Sequence, residues 1–579
     1  MTTSHAPPAH EATLELEPTA ATRHLCAGVY VDERFRDLVI NEVCTAPHRR
    51  VAPSYGFDIV PVMHHAWRAA ALSALPRITV LAAVVGPALT GAVPAAILIA
   101  SCFGLLLLLR LATLLRGIDR QSMPAHKSRR RGLGPLQAHR YLLRILLPRM
   151  QTRKALAFKR VATAALWLAL TVLVIALVFP RQALTALLLA TAITFVYLAV
   201  GATRQLILNR ILRTPTLRPA CLSGRQRAAD RQQHHMCAVY RRPRHSDDED
   251  DDLTVFTLFG DQSPFVGAGE LVYQWNPPMS IQLLRPDTDE EPLHEREHSV
   301  PPFQAHELVE HLREAVLPLN IDSRDVRLPA EVRDRVYVAE TDVAVDRSLL
   351  PHHFTRTELR SIINTPASRQ HHFLEVTTAA DGAEFVATVL LHVSLQGRTL
   401  SLSTAACVLA HTPRSFQRAE EFGHHGAAAV IWAAFNELAA LPSDIQHSWR
   451  IVRYLYALAK AAVLPRDLTT TPIRNILIGS RVSIREESSQ AWTKVQLEKS
   501  DILGRMKTIE QRLLSAASDF LQSKDVDTSV FKDRALKIIN SGIFNFGDNN
   551  SFTNNAVGDA AQVSVAANQT AQPDNGAAP

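Results

Sequence analysis

The sequence predicts a membrane protein with α-helical hairpin spans, a cytoplasmic α+β domain and a C-terminal helical module. Three observations predict it. Two long apolar stretches lie in the first part of the 579-residue chain, each broken near its middle by proline. The segments flanking the second stretch hold twenty-three Lys and Arg against two acids. From residue 253 onward, β-rich runs alternate with amphipathic helical patterns.

Composition sets the frame. Charged residues are 20% and the mean hydropathy is +0.01, high for a wholly soluble chain and low for a transporter. Arginine outnumbers lysine 52 to 10, the usage of a high-GC bacterial genome. The six cysteines form no CxxC pair, which argues against a disulfide scaffold or a zinc ribbon and fits a reducing compartment.

Residues 1–68 read as an N-terminal cytoplasmic segment. It starts disordered, lacks a secretion signal and continues as a strand or a small helix pair. Ile78–Leu109 contains no charge. As a single helix it would span about 48 Å, too long for a core of about 30 Å. Pro87, Gly91 and Pro94 therefore predict a first hairpin over 69–115, with Arg77 and Arg110 snorkelling at its base. A second hairpin over 161–203 turns at Pro180 and Arg181. Its flanks, a basic loop at 116–160 and a basic-then-acidic linker at 204–252, are cytoplasmic by the positive-inside rule. Both termini are then cytoplasmic and the chain is a multi-pass protein of the cell membrane.

The basic loop carries Arg129, Arg130, Arg131, Arg140 and Arg144, placed to meet anionic lipid head groups. Arginine beside spans is topological, so nucleic acid is not an expected partner. Residues 253–412 form the α+β domain, with strands predicted at LTVFTLFG, ELVYQW, VYVAETDVAV, HHFLEVTT, AEFVATVLLHVSLQ and RTLSLSTAACVLA. Hairpin turns are expected at Asp381–Gly382 and Gln396–Gly397. Residues 413–466 read as a helical pair.

From Lys460 onward lysine equals arginine, which suggests a separately acquired module over 467–538. Ile502, Met506, Ile509, Leu513, Ala516 and Phe520 repeat at coiled-coil spacing. That seam either packs against its own chain or joins copies. The tail, 539–579, is Asn/Gly-rich and partly disordered. Phe544 and Phe546 sit there among asparagines that could ladder between copies.

The sharpest chemical motif is His294–Glu295–Arg296–Glu297–His298. It matches H-E-x-x-H, where two histidines one helical turn apart bind zinc and the glutamate activates water. Nearby prolines and the lack of an apolar face oppose that helix, so no metal or cofactor is expected. Phosphate-loop, dinucleotide, hydrolase and kinase signatures are absent. The predicted spans carry no acid, lysine or histidine, which disfavours a pump or transporter.

Six segments carry a resemblance: TRHLCAGVYVDERF, SPFVGAGELVYQW, DRVYVAETDV, RSIINTP, LQGRTL and DILGRMKTIEQRLLSAASDFLQSKDVDTSVF. Through them the chain resembles uncharacterised multi-pass membrane proteins of high-GC actinobacteria. The resemblance implies membrane attachment and no particular activity. The expected function is a non-enzymatic, membrane-anchored scaffold or signalling protein that self-associates through its C-terminal module and recruits a protein partner. A membrane-bound zinc hydrolase using His294, Glu295 and His298, or an oligomeric pore, are the alternatives.

Overall fold

A computed structural model describes residues 18–121, 163–241, 264–286, 292–320, 330–469 and 478–540, apart from positions 276, 293, 367, 381, 424 and 496–497. The N-terminal segment is helical from Ala20, with no strand among its described residues. Helix α1 (Ala20–Val31) is capped by the Thr19 hydroxyl, and α2 (Glu33–Leu38) by the Asp32 carboxylate. One π-helical stretch (Val39–Cys44) follows.

Among the described residues, three helices are long and apolar enough to cross a membrane: α3 (Ile59–Leu89), the Val93–Leu111 part of α4 (Val93–Gln121), and α6 (Pro180–Arg213). The apolar helix α5 (Thr163–Val178) is shorter over its described residues. Helices α3 and α4 form the first hairpin around Gly91, whose φ of +80° suits the tight turn. Its first helix starts at Ile59, ten residues before the expected boundary, because Asp58 caps it there. Helix α6 begins at Pro180 and runs 34 residues, about 51 Å, far beyond the expected Ala202.

These helices are two-toned along their length. The lower half of α3 is buried: Val60, Val62 and Ala66 are fully covered and share a core with Leu25, Val29, Phe416 and Ile484. The upper half exposes Leu75, Leu81, Val85 and Leu89. Leu184, Leu188 and Phe195 of α6 and Leu166 and Leu177 of α5 continue that exposed apolar band.

Over its described residues, up to Arg241, the segment expected to be a linker carries regular structure, and residues 242–252 lie outside the described residues. Helix α7 (Gly224–Gln233) opens with a Ser223/Gln226 capping box, and strand β1 (Cys237–Tyr240) follows. Strands β2 (Glu270–Gln274) and β3 (Met279–Gln282), helix α8 (Ala305–Val316), strand β4 (Ala330–Ala339) and the short α9 (Glu340–Val345) come next. The run VYVAETDVAV is therefore strand and then helix, and its strand begins earlier, at Ala330. Helix α10 (Arg356–Asn364) precedes the long strands β5 (Gln370–Ala380), β6 (Phe385–Gln396) and β7 (Thr399–Leu409). The run LTVFTLFG lies outside the described residues.

Among the described residues, seven strands make one sheet in the order β1-β4-β5-β6-β7-β2, with β3 also on β7; of these pairs β1–β4 alone is parallel. Side chains alternate across it. Val336 and Val338 face α8, while Tyr337 faces a second layer with Tyr55, Phe265 and Phe373. The Gln396–Gly397 turn forms as expected, with Gly397 at φ +58°.

Three helices follow rather than two: α11 (Arg414–Gly423), α12 (Gly426–Gln446) and α13 (Ile451–Val463). Helix α12 lies along α6. A Cβ on Gly201 would sit 2.7 Å from the Ala433 carbonyl oxygen, so this close approach needs glycine. The short α14 (Ile484–Ser488) leads into α15 (Lys499–Ser523) and α16 (Ser529–Asn540).

Helix α15 carries the heptad-spaced seam, and of the two alternatives for it the fold shows packing against its own chain. Met506 and Ile509 are fully buried, and Ile502, Leu513 and Phe520 nearly so. They pack with Leu308 and Leu312 of α8 and the underside of the sheet in one cluster running from Cys237 to Ala535. The module is part of the α+β domain, and the seam is occupied by its own chain.

Candidate functional site

Where α2, α3 and α13 meet, below the exposed apolar band, a cleft of about 260 Å³ opens. Its polar lining is Glu33, Arg36 and Asp37 from α2, Asn41 from the π-helical stretch, Ser73 and Arg77 from α3, and Arg450, Arg453 and Tyr454 from α13 and the turn before it. Helix α2 is held by its Asp32 cap, which fixes Glu33 and Arg36 one turn apart on the face toward α3.

Glu33 is the hub. Its carboxylate takes Arg77 Nη2 at 2.6 Å, Arg450 Nη1 at 3.4 Å and Arg36 Nη2 at 3.6 Å. Burial alone would raise its pKa, but Arg77 and Arg36 outweigh that and hold it below the usual carboxylate range. Arg36 donates to the Ser73 hydroxyl at 2.7 Å and lies 3.5 Å from Asp37. Behind the cleft, Asp444 of α12 reaches Arg77 at 3.5 Å. Burial raises the Asp444 pKa, only partly offset by Arg77. Two turns earlier in α12, Glu437 pairs with Arg204 of α6 at 3.2 Å.

The pairing leaves donor capacity over. Arg36 and Arg77 line the cleft nine-tenths buried, yet the Nε of each has no partner. Arg453 stands at the rim over the Trp449 ring, 5.6 Å from its centroid. Such fixed planar donors suit an oxyanion that can take two of them at once.

Two other polar clusters are sealed. Arg335 and Glu375 pair at 3.0 Å inside the sheet, with the Tyr55 hydroxyl donating to Glu375 at 3.2 Å. Glu384 accepts from the Thr412 backbone at 2.9 Å and its hydroxyl at 2.8 Å, with His24 Nδ1 at 2.6 Å. Burial works to raise the Glu384 pKa, but the hydrogen bonds of His24 and His411 keep it well below its ordinary value. Beside it, fully buried Arg485 donates to the backbone carbonyls of Tyr55, Ala383 and Glu384. These bonds tie α1 and the segment before α3 to the β5–β6 turn.

The His294–His298 segment is a turn, so the helix that would place two ligands on one face is not formed. His294 and Glu295 are exposed, 78% and 60% in their side chains. Arg296 is the buried member. It pairs with Asp527 at 2.6 Å and donates to the Arg285 carbonyl at 2.9 Å, while Glu297 pairs with Arg398. The segment is a strut joining the sheet edge to the loop between α15 and α16. Among the described residues, no three of His, Cys, Asp and Glu stand close enough to hold a metal ion.

Of the other sequence-predicted residues, Ile502, Met506, Ile509, Leu513 and Phe520 lie in the domain core. Arg129, Arg130, Arg131, Arg140, Arg144, Phe544 and Phe546 lie outside the described residues. Sequence reasoning placed Arg77 at the foot of a span but missed its partners. They are 44 and 367 positions away, on helices whose contact no local pattern announces.

A family model described as the AbeC-like domain matches residues 274–552. That stretch begins at the end of β2 and runs past α16, taking in most of the sheet together with α15. No curated protein and no solved structure matches the chain.

Proposed function

We propose that this chain, with its AbeC-like region, is a non-enzymatic, multi-pass membrane protein. It holds its α+β domain rigidly at the cytoplasmic face of the cell membrane as a platform for a protein partner. The observation that carries the reading is the two-toned α3. Its exposed apolar half continues, without a break, into a half packed in the core of α1, α11 and α14. An anchor on a flexible tether would need no such joint; a domain held at fixed height and orientation does.

The same core supports an even number of crossings. Residues 20–58 precede the apolar helices and residues 224–540 follow them, yet the two share one interior. Three crossings would part them. Helix α5 packs against α4, with Leu168 beside Gly104, and serves as the fourth. Both termini then face the cytoplasm, as the basic flanks also favour. With the α15 seam buried, the tail bearing Phe544 and Phe546 is the element left for self-association. The exposed turn at His294–His298 gives the hydrolase alternative no support.

The test is membrane fractionation with reporter fusions at Pro18 and after Asn540 of the full chain. We expect carbonate-resistant membrane association and a cytoplasmic signal from both. Signals from opposite compartments, or recovery in the soluble fraction, would overturn the reading.

A further inference from the structure

We infer that the cleft between α2, α3 and α13 is a binding site for the phosphate of an anionic lipid, the head group held by Arg36, Arg77 and Arg453. The inference rests on the membrane reading above. It is distinct from the Arg129–Arg144 loop, which would meet head groups only diffusely.

Three features point to this ligand. The cleft lining holds four guanidinium groups against two carboxylates, Glu33 and Asp37, so it favours a negative guest. Arg36 and Arg77 are nine-tenths buried guanidinium groups held in place by Ser73 and Glu33, and the two free oxygens of a phosphate match such a fork. Third, α3 continues past the cleft into apolar surface: Leu81 and Val85, one and two turns beyond Arg77 on the same side, are 37% and 48% exposed. A soluble phosphate has no use for those residues, whereas the acyl chains of a lipid would cover them.

The test uses the full chain purified in a zwitterionic detergent. Short-chain phosphatidylglycerol, short-chain phosphatidylcholine and inorganic phosphate are titrated separately, followed by thermal unfolding and native mass spectrometry. We expect phosphatidylglycerol to raise the unfolding temperature and remain bound through desolvation, and phosphatidylcholine to do neither. Arg453→Gln should weaken that binding about fivefold, the equivalent of one surface cation near an anionic head group. Arg36→Gln should weaken it more; because Arg36 is buried, the exposed Arg453 keeps the test valid if that variant fails to fold. Equal binding of phosphatidylglycerol by the wild type and Arg453→Gln, or equal binding of the two lipids, would overturn the site. Inorganic phosphate binding as tightly as phosphatidylglycerol would overturn the lipid and leave a free-phosphate site. A chain found soluble on fractionation that still binds phosphatidylglycerol through Arg453 would fail the anchoring reading alone.

Discussion

Glu486 shows how one side chain can set a pH response without touching any reaction. It lies in α14 and accepts a hydrogen bond from the Gly267 backbone at 2.8 Å. Burial pushes its carboxyl up to about 7; the Gly267 bond opposes this and neighbouring Glu487 adds to it. An acid with a raised folded pKa binds its proton more tightly when folded. The stability it contributes is therefore complete below its ordinary value of 4.5 and is lost as pH rises through about 7. Glu486→Gln keeps an acceptor for Gly267 and removes the titration. We expect it to match the wild type at pH 4 and to exceed it by on the order of 2–3 kcal/mol at pH 8, read from chemical denaturation at the two values. A stability difference between Glu486→Gln and the wild type that is the same at both pH values would reject this account. None of this is visible in the letters REESS, because burial of the glutamate depends on a glycine turn more than two hundred positions earlier.

At the scale of elements, what the sequence revealed depended on whether the signal was local. Strands β5, β6 and β7 were legible because apolar alternation and a glycine turn lie within a few residues of one another. Strands β1 and β3 were not, being four residues each and recognisable only by the neighbours they pair with. Helix α15 was legible as a helix and misleading as an interface. A 4-3 apolar rhythm states that one face is buried and says nothing of whose surface buries it. The partner is α8, nearly two hundred residues earlier, with Arg512 donating to the Ala315 carbonyl at 3.1 Å. Ile509→Ala should therefore cost about 2–5 kcal/mol of domain stability in denaturant while leaving the mass in light scattering unchanged. A variant of undiminished stability that loses a dimer would restore the seam as a contact between copies.

Over the whole molecule, the apolar helices and the domain are locked by charges contributed from both sides. Arg77 of α3 meets Glu33 and Asp444, and Arg204 of α6 meets Glu437. The sequence showed the arginines at the feet of the helices but not their partners, because the acids arrive on α2 and α12, outside the apolar runs. Arg204→Glu would set two carboxylates together beneath the helices, and we expect a several-fold loss of folded, membrane-extracted protein. Adding Glu437→Arg should return most of it, read as the yield of monodisperse chain. No recovery in the double variant would show that the pair is incidental. The order of translation gives this joint a further meaning. Arg77 leaves the ribosome after Glu33, but Asp444 follows Arg77 by 367 residues and Glu437 follows Arg204 by 233. Until then Arg204 lacks the carboxylate it pairs with, and Arg77 has Glu33 alone. A chain that stops before α12 lacks both the Asp444 and the Glu437 carboxylate, so the joint between helices and domain closes only after α12 has been made.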